Sequence, residues 1–227
     1  LSSSRLMEID GKTYVFREMM DYRTQKGVIG VSVFDDSGVL SKPKVILDEP
    51  FHMSFPHIFQ LGSNIYMIPE TSQVGQLRIY MMGEDVYHWS LLRHLEAVGR
   101  LVDTVTFLCD DRILFLSCES DANPLKTKLK VFELDDIEKG QLRLLYTPDD
   151  TASLDCRNAG GFLLSDNGLY RVSQGSTEDE YGIYMILNRV EVLDEVQFKE
   201  KPVKKIDKDD VDCRIIPLFQ KKKGIHT

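Results

Sequence analysis

Short runs in which apolar positions alternate with polar ones, or follow one another without a break, recur along the whole chain. They fall at residues 12–17, 30–34, 65–68, 77–81, 112–117, 129–134 and 182–187. Turn-forming residues bound most of them, as in Asp10-Gly11, Asp36-Ser37-Gly38, Leu61-Gly62-Ser63-Asn64 and Asp166-Asn167-Gly168. Runs of this length with period-2 alternation and Gly/Asn/Asp punctuation predict β-strands joined by tight turns. The one segment with helical spacing is 89–98, where Leu91, Leu92, Leu95 and Val98 predict a short helix. Residues 135–139 suggest a further turn, and residues 199–210, dense in Lys and Asp, read as an exposed connector.

The strands repeat. Tyr14-Val15-Phe16-Arg17-Glu18, Tyr66-Met67-Ile68-Pro69-Glu70, Phe115-Leu116-Ser117-Cys118-Glu119 and Tyr170-Arg171-Val172-Ser173-Gln174 each follow a hairpin turn. Their leading aromatics recur at intervals of 52, 49 and 55 residues, and residues 218–226 overlay 58–66 as the start of a further copy. A unit of about fifty residues holding four strands is the size of a propeller blade, with apolar faces that only neighbouring blades cover. The expectation is an all-β, five-bladed β-propeller forming a single domain over residues 1–227. Its blades fall near 1–50, 51–98, 99–150, 151–206 and, in part, 207–227. Because the fifth unit is cut short and the chain does not begin with Met, we expect more natural chain at both ends, or a partner that completes the ring.

The 227 residues carry 28 Lys and Arg against 36 Asp and Glu, a formal charge of −8. That excludes a dense phosphate-binding surface, so no nucleic-acid partner is expected. No run approaches the roughly 18 apolar residues of a membrane helix, and no secretory signal opens the chain. Cys109, Cys118, Cys156 and Cys213 form no C-x-x-C pair and no zinc pattern, which points to reduced buried thiols and a cytoplasmic location. No metal and no cofactor is expected: nucleophilic-serine, P-loop, dinucleotide and H-E-x-x-H patterns are all absent.

In a propeller the innermost strand of each blade lines a central funnel, so polar residues at blade starts are the ones able to converge. They are His52, Asp103, Arg157 and, in the last unit, Asp212 or Arg214. The second strands add Glu18, Glu70, Glu119 and Gln174, all at one repeat position. Carboxylates gathered in a ring repel one another unless Arg157, Arg171 or a cation sits among them. Arg157 stands beside Ala159-Gly160-Gly161, small residues that admit a ligand or another backbone closely.

Phe51-His52-Met53-Ser54-Phe55-Pro56 followed by Ile65-Tyr66-Met67-Ile68-Pro69-Glu70-Thr71-Ser72 resembles a signature of the propeller domain that lies N-terminal in plant glucosamine inositolphosphorylceramide transferases. Related bacterial proteins carry it in polysaccharide biosynthesis. Asp103-Thr104, Arg157-Asn158-Ala159-Gly160-Gly161, Leu169-Tyr170-Arg171, Gln174, Tyr181-Gly182, Asn188 and Gly224-Ile225-His226-Thr227 extend the resemblance from about Ile9 to the last residue. The family is in turn similar to five-bladed arabinanase and β-xylosidase glycosidases, which use an Asp base, an Asp modulator and a Glu acid. On that resemblance Asp103 matches the modulator, the base position falls near Ser3, and the acid position falls near Arg157. An Arg cannot serve as a proton donor near neutral pH, which disfavours the two-carboxylate hydrolase mechanism.

The resemblance implies a carbohydrate-related module of a glycosyltransferase or polysaccharide-assembly system. It would bind a glycan, sugar phosphate or nucleotide sugar through His52, Glu70, Asp103, Arg157, Arg171, Gln174 and His226, with a transferase domain in the same or another chain. Two alternatives stand beside it: a glycoside hydrolase or phosphorylase using Glu70 or Glu119 with Asp103, and a protein-interaction scaffold.

Overall fold

The computed structural model describes residues 4–96, 99–109, 112–120, 127–148, 155–177, 180 and 182–207. Among the described residues, sixteen strands form four antiparallel sheets, each a four-stranded meander in which sequence neighbours pair. The first holds β1 (Ser4–Ile9), β2 (Lys12–Asp21), β3 (Lys26–Val33) and β4 (Lys44–Leu47). The second holds β5 (Ser54–Leu61), β6 (Asn64–Glu70), β7 (Gln76–Met82) and β8 (Trp89–Glu96). The third holds β9 (Leu101–Cys109), β10 (Arg112–Ser120), β11 (Thr127–Leu134) and β12 (Leu142–Tyr146). The fourth holds β13 (Arg157–Ser165), β14 (Gly168–Gly175), β15 (Tyr184–Leu193) and β16 (Phe198–Asp207). The only helical element among the described residues is a single 3-10 turn, Ser72–Val74, and no helix there is long and apolar enough to cross a membrane.

Sequence-level turn chemistry sets these hairpins. Asp10 and Gly11 have φ of 50° and 71°, the left-handed pair of a type I′ turn, and the flanking pair Ile9↔Lys12 closes the β1–β2 ladder. Two-residue turns also join β5 to β6 at Leu61↔Asn64 and β13 to β14 at Ser165↔Gly168, and the β9–β10 ladder begins at Cys109↔Arg112.

The described residues fall into two compact units, residues 4–96 with the first two sheets and residues 99–207 with the last two. In the first, Phe16, Ile29, Val31, Met53, Met67 and Tyr80 form a core at or below 1% exposure, and Trp89 packs edge-on against Phe16 at 6.0 Å. Each such side chain contributes about 1.5–3 kcal/mol by leaving water. In the second, β10 is buried along almost its whole length, the mark of a strand covered on both faces. There Phe107 meets Phe162 at 5.1 Å.

Two expectations are corrected. Residues 89–96 are strand β8, not helix: the β7–β8 ladder shifts between Ile79↔Arg93 and Tyr80↔Leu91, and the bulge at Leu92 places two leucines in succession. Residues 199–207 are not a connector but most of β16, the edge strand of its sheet, with Lys199, Lys201, Lys204 and Lys205 exposed along it. Four blades are described. Residues 208–227, where the fifth was expected, lie outside the described residues together with Asp212, Cys213, Arg214 and His226.

Candidate functional site

Register decides which side chains are equivalent. The sixth residue beyond the first position of β2, β6, β10 and β14 is Glu18, Glu70, Cys118 and Gln174 respectively. Glu119 is therefore not the third copy of that position. It falls one residue later, where the pleat turns the side chain to the opposite face. Its carboxylate receives Lys130 Nζ at 2.8 Å and lies against the Cα of Gly99, where an added Cβ would sit 2.0 Å from Oε1.

Counting back six residues from the last position of β5, β9 and β13 gives the inner-strand equivalents Phe55, Asp103 and Ala159; the first-sheet counterpart, Ser3, lies outside the described residues. Ladder shifts occur there in the second, third and fourth sheets, between Ser54 and His57, opposite Ser117, and between Asn158 and Phe162. Phe55 and Asp103 both adopt left-handed backbone, φ 41° and 49°. A non-Gly residue held this way costs about 1 kcal/mol or more, and such strain collects where a side chain must be aimed. The second sheet uses the device to bury a phenyl ring, whereas the third uses it to bury a carboxylate.

In the second unit Asp103 meets Arg157, Nε donating to Oδ2 at 2.5 Å, with side-chain exposures of 6% and 12%. Asn158, fully buried, braces the pair from behind: its Nδ2 donates to the carbonyls of Asp103 (2.7 Å) and Leu116 (2.9 Å). Its Oδ1 accepts from Arg171 Nη1 at 2.8 Å. Arg171, 1% exposed, donates also to the Cys156 carbonyl (3.1 Å) and grips the Glu200 carboxylate with Nε and Nη2. Burial opposes the Arg171 charge, but the Glu200 hydrogen bonds and charge outweigh it and raise the guanidinium pKa. The expected ligand-holder Arg171 is thus enclosed, its donors taken by the chain, and it works as a brace. Gln174 pairs with Arg157 across the ladder, and its Nε2 is buried without a hydrogen-bond partner.

In the first unit His52 follows β4. The Gly27 N–H donates to His52 Nδ1 at 2.9 Å, so in the neutral ring the proton sits on Nε2, which faces Glu18 Oε1 at 3.6 Å. Burial lowers the His52 pKa, which keeps the ring neutral near pH 7, and the Glu18 contact is then no ion pair. Gly27 is required here: a Cβ would lie 2.4 Å from the Met53 carbonyl oxygen and 2.8 Å from His52 Cε1. Thr24, Gln25, Lys26, Pro50, Phe51, His52 and Gln73 line an open cleft of about 290 Å3. Gln73 accepts the His52 backbone N–H at 2.7 Å, and Ser72 donates to Glu70 Oε1 at 2.8 Å.

The second unit therefore joins Asp103, Arg157 and Arg171 in one hydrogen-bonded network, with Gln174 beside Arg157. His52, Glu18 and Glu70 belong to the first unit. Asn158 and Glu200 carry the network and were not among the expected site residues. Asn158 had a signal, its place between Arg157 and the small run Ala159-Gly160-Gly161, whereas a Glu inside a lysine-rich segment gave none.

Comparison with solved structures agrees on the fold. The chain is similar to an α-L-arabinanase from Cellvibrio cellulosa (TM-score 0.65, 10% identity, 87% of this chain and 76% of that one). It is also similar to a thermostable family-43 glycoside hydrolase (TM-score 0.64, 12% identity, 90% and 75%). The fold is a β-propeller of glycosidase-like architecture. Among curated proteins, glucosamine inositolphosphorylceramide transferase 1 of Arabidopsis thaliana is 30% identical over 212 residues, spanning 86% of this chain. The protein of the same name from Oryza sativa subsp. indica is 29% identical over 204 residues. The chain spans about a quarter of the length of these relatives, 26% and 27%. The family described as glucosamine inositolphosphorylceramide transferase 1, N-terminal, matches residues 4–214, and the chain belongs to that family.

Proposed function

We propose that this chain is the carbohydrate-binding module of a glycosyltransferase, a five-bladed ring that takes a glycan, sugar phosphate or nucleotide sugar. The Asp103–Arg157 pair carries the reading: a carboxylate aimed by strained backbone against a guanidinium, held by a dedicated asparagine. Carboxylates accept sugar hydroxyls, and the guanidinium fork matches a phosphate or carboxylate with two parallel hydrogen bonds. Arg157, the more exposed partner, meets the anionic group, and Asp103 keeps it oriented. Group transfer belongs to a transferase domain, in the same chain or another.

Calorimetry with a panel of neutral sugars, sugar phosphates and nucleotide sugars tests this against wild type, Arg157→Ala and Arg157→Lys. Loss of a charge-assisted fork of about 1.5–3 kcal/mol predicts roughly 10- to 100-fold weaker binding of the anionic ligands. Lysine, with its charge but without the fork, restores only part of it. Unchanged affinity in a folded Arg157→Ala protein removes the pair from the account. Likeness to glycosidases is likeness of fold alone; turnover of chromogenic glycosides that Glu70→Gln abolishes would replace binding by hydrolysis.

A further inference from the structure

Three of the four described blades carry a long polar side chain six residues beyond the first position of their second strand, Glu18, Glu70 and Gln174, and the third blade carries Cys118 there. Cys118 does not face an apolar pocket. Its Sγ lies 3.9 Å from Sγ of Cys156, the residue just before β13, and both are buried. The Cys118 thiol donates to the Cys156 carbonyl at 3.2 Å, and the Cys156 thiol donates to the Thr127 carbonyl at 3.1 Å. The Thr127 hydroxyl lies 2.8 Å from Cys156 Sγ. The sulfurs are thus in contact, and a disulfide requires them to close by a little under 2 Å.

We propose that Cys118 and Cys156 form an oxidation site, which a peroxide converts into a disulfide tying β10 to the segment that carries Arg157. The Cys118 or Cys156 thiolate attacks the peroxide O–O bond, giving a sulfenic acid and, after protonation, one water. The second sulfur then displaces the sulfenic hydroxyl as a second water, so two thiols and one hydrogen peroxide give one disulfide and two waters. A small oxidant suits a buried pair, and the neighbouring thiol sits where it intercepts the sulfenic acid before further oxidation. Burial and the Cys156 contact push the Cys118 thiol pKa up, while the Arg171 charge draws it down. The reaction therefore quickens as pH rises. Loss of the Cys118 S–H leaves the Cys156 carbonyl with its Arg171 hydrogen bond, so closing the bridge orphans no acceptor there.

The test treats the full chain with hydrogen peroxide at pH 7 and 8.5, blocks remaining thiols with iodoacetamide, and reads intact mass and a non-reducing peptide map. The expected result is the loss of two hydrogens and a Cys118–Cys156 cross-linked peptide. A loop of this length predicts a thermal midpoint raised on the order of 10 °C and reversed by dithiothreitol. A Cys109→Ser/Cys213→Ser protein retains the effect. If that variant fails to fold, the wild-type map decides. Bridges through Cys109 or Cys213, sulfinic acid on Cys118 without a bridge, or four alkylatable thiols after treatment at pH 8.5 each overturn the proposal.

Discussion

Glu200→Gln isolates the charge in the Arg171–Glu200 contact while keeping the shape of the side chain. Arg171 is 1% exposed and Glu200 14%, and the guanidinium presents Nε and Nη2 to the two carboxylate oxygens. Removing one partner of a buried pair leaves the other charge in low dielectric, a loss of about 3–5 kcal/mol. Partial exposure of Glu200 moves the expected cost to the lower end, about 3 kcal/mol. With a urea slope near 2 kcal/mol per M, the midpoint should fall by about 1.5 M. Far-UV circular dichroism is the probe, because the single tryptophan, Trp89, reports on the other unit. Arg171→Met/Glu200→Leu removes both charges and should regain most of the stability, since a well-packed apolar pair often matches a buried ion pair. A double-mutant cycle through Arg171→Met and Glu200→Leu should then give a coupling of about 2 kcal/mol or more. A Glu200→Gln midpoint within about 0.3 M of wild type, or a coupling near zero, refutes the reasoning.

His57 is fully buried, and desolvation, helped by the nearby Arg5 charge, lowers its pKa from 6.5 to about 3. Only the unfolded chain takes up a proton there, so the stability is fully present above pH 6.5 and drains away as pH falls towards 3. Urea midpoints should register about 2 kcal/mol of loss from this group between pH 7 and pH 5, absent in His57→Phe; equal losses in both proteins contradict the assignment. Gly27→Ala drives a methyl to 2.4 Å from the Met53 carbonyl oxygen, a backbone atom that cannot swing aside. A penalty of about 2–3 kcal/mol in thermal or urea unfolding is expected, and a neutral substitution would show that the close approach is not rigid.

The blade pattern was legible because turn chemistry and alternation act locally. Asp10-Gly11 and Leu61-Gly62-Ser63-Asn64 announce hairpins whichever sheets they join. Leu91 and Leu92 misled because a bulge resets the pleat, and two successive apolar residues in a bulged edge strand mimic helical spacing. Glu119 was misplaced because aligning the leading aromatics sets Phe115 beside Tyr66. The hydrogen-bond register counts from the turn and sets Leu114 there. Asp103 and Arg157 were visible as polar residues at blade starts, yet nothing in a linear chain shows that Asn158 and Glu200 hold them. Arg171 reads as a ligand contact for the same reason: a guanidinium looks identical in sequence whether water or a carboxylate surrounds it.

The lysines along β16 have a consequence for handling the protein. A sheet ending in a ten-residue edge strand would ordinarily template a stranger's backbone, chain upon chain. Four ammonium groups and Pro202 along that border make such an incoming strand bring its own charges against like charges, and withdraw one backbone donor. Polymerisation through this border is thereby discouraged at neutral pH, and acetylating those amines should turn a clear solution into one that scatters light.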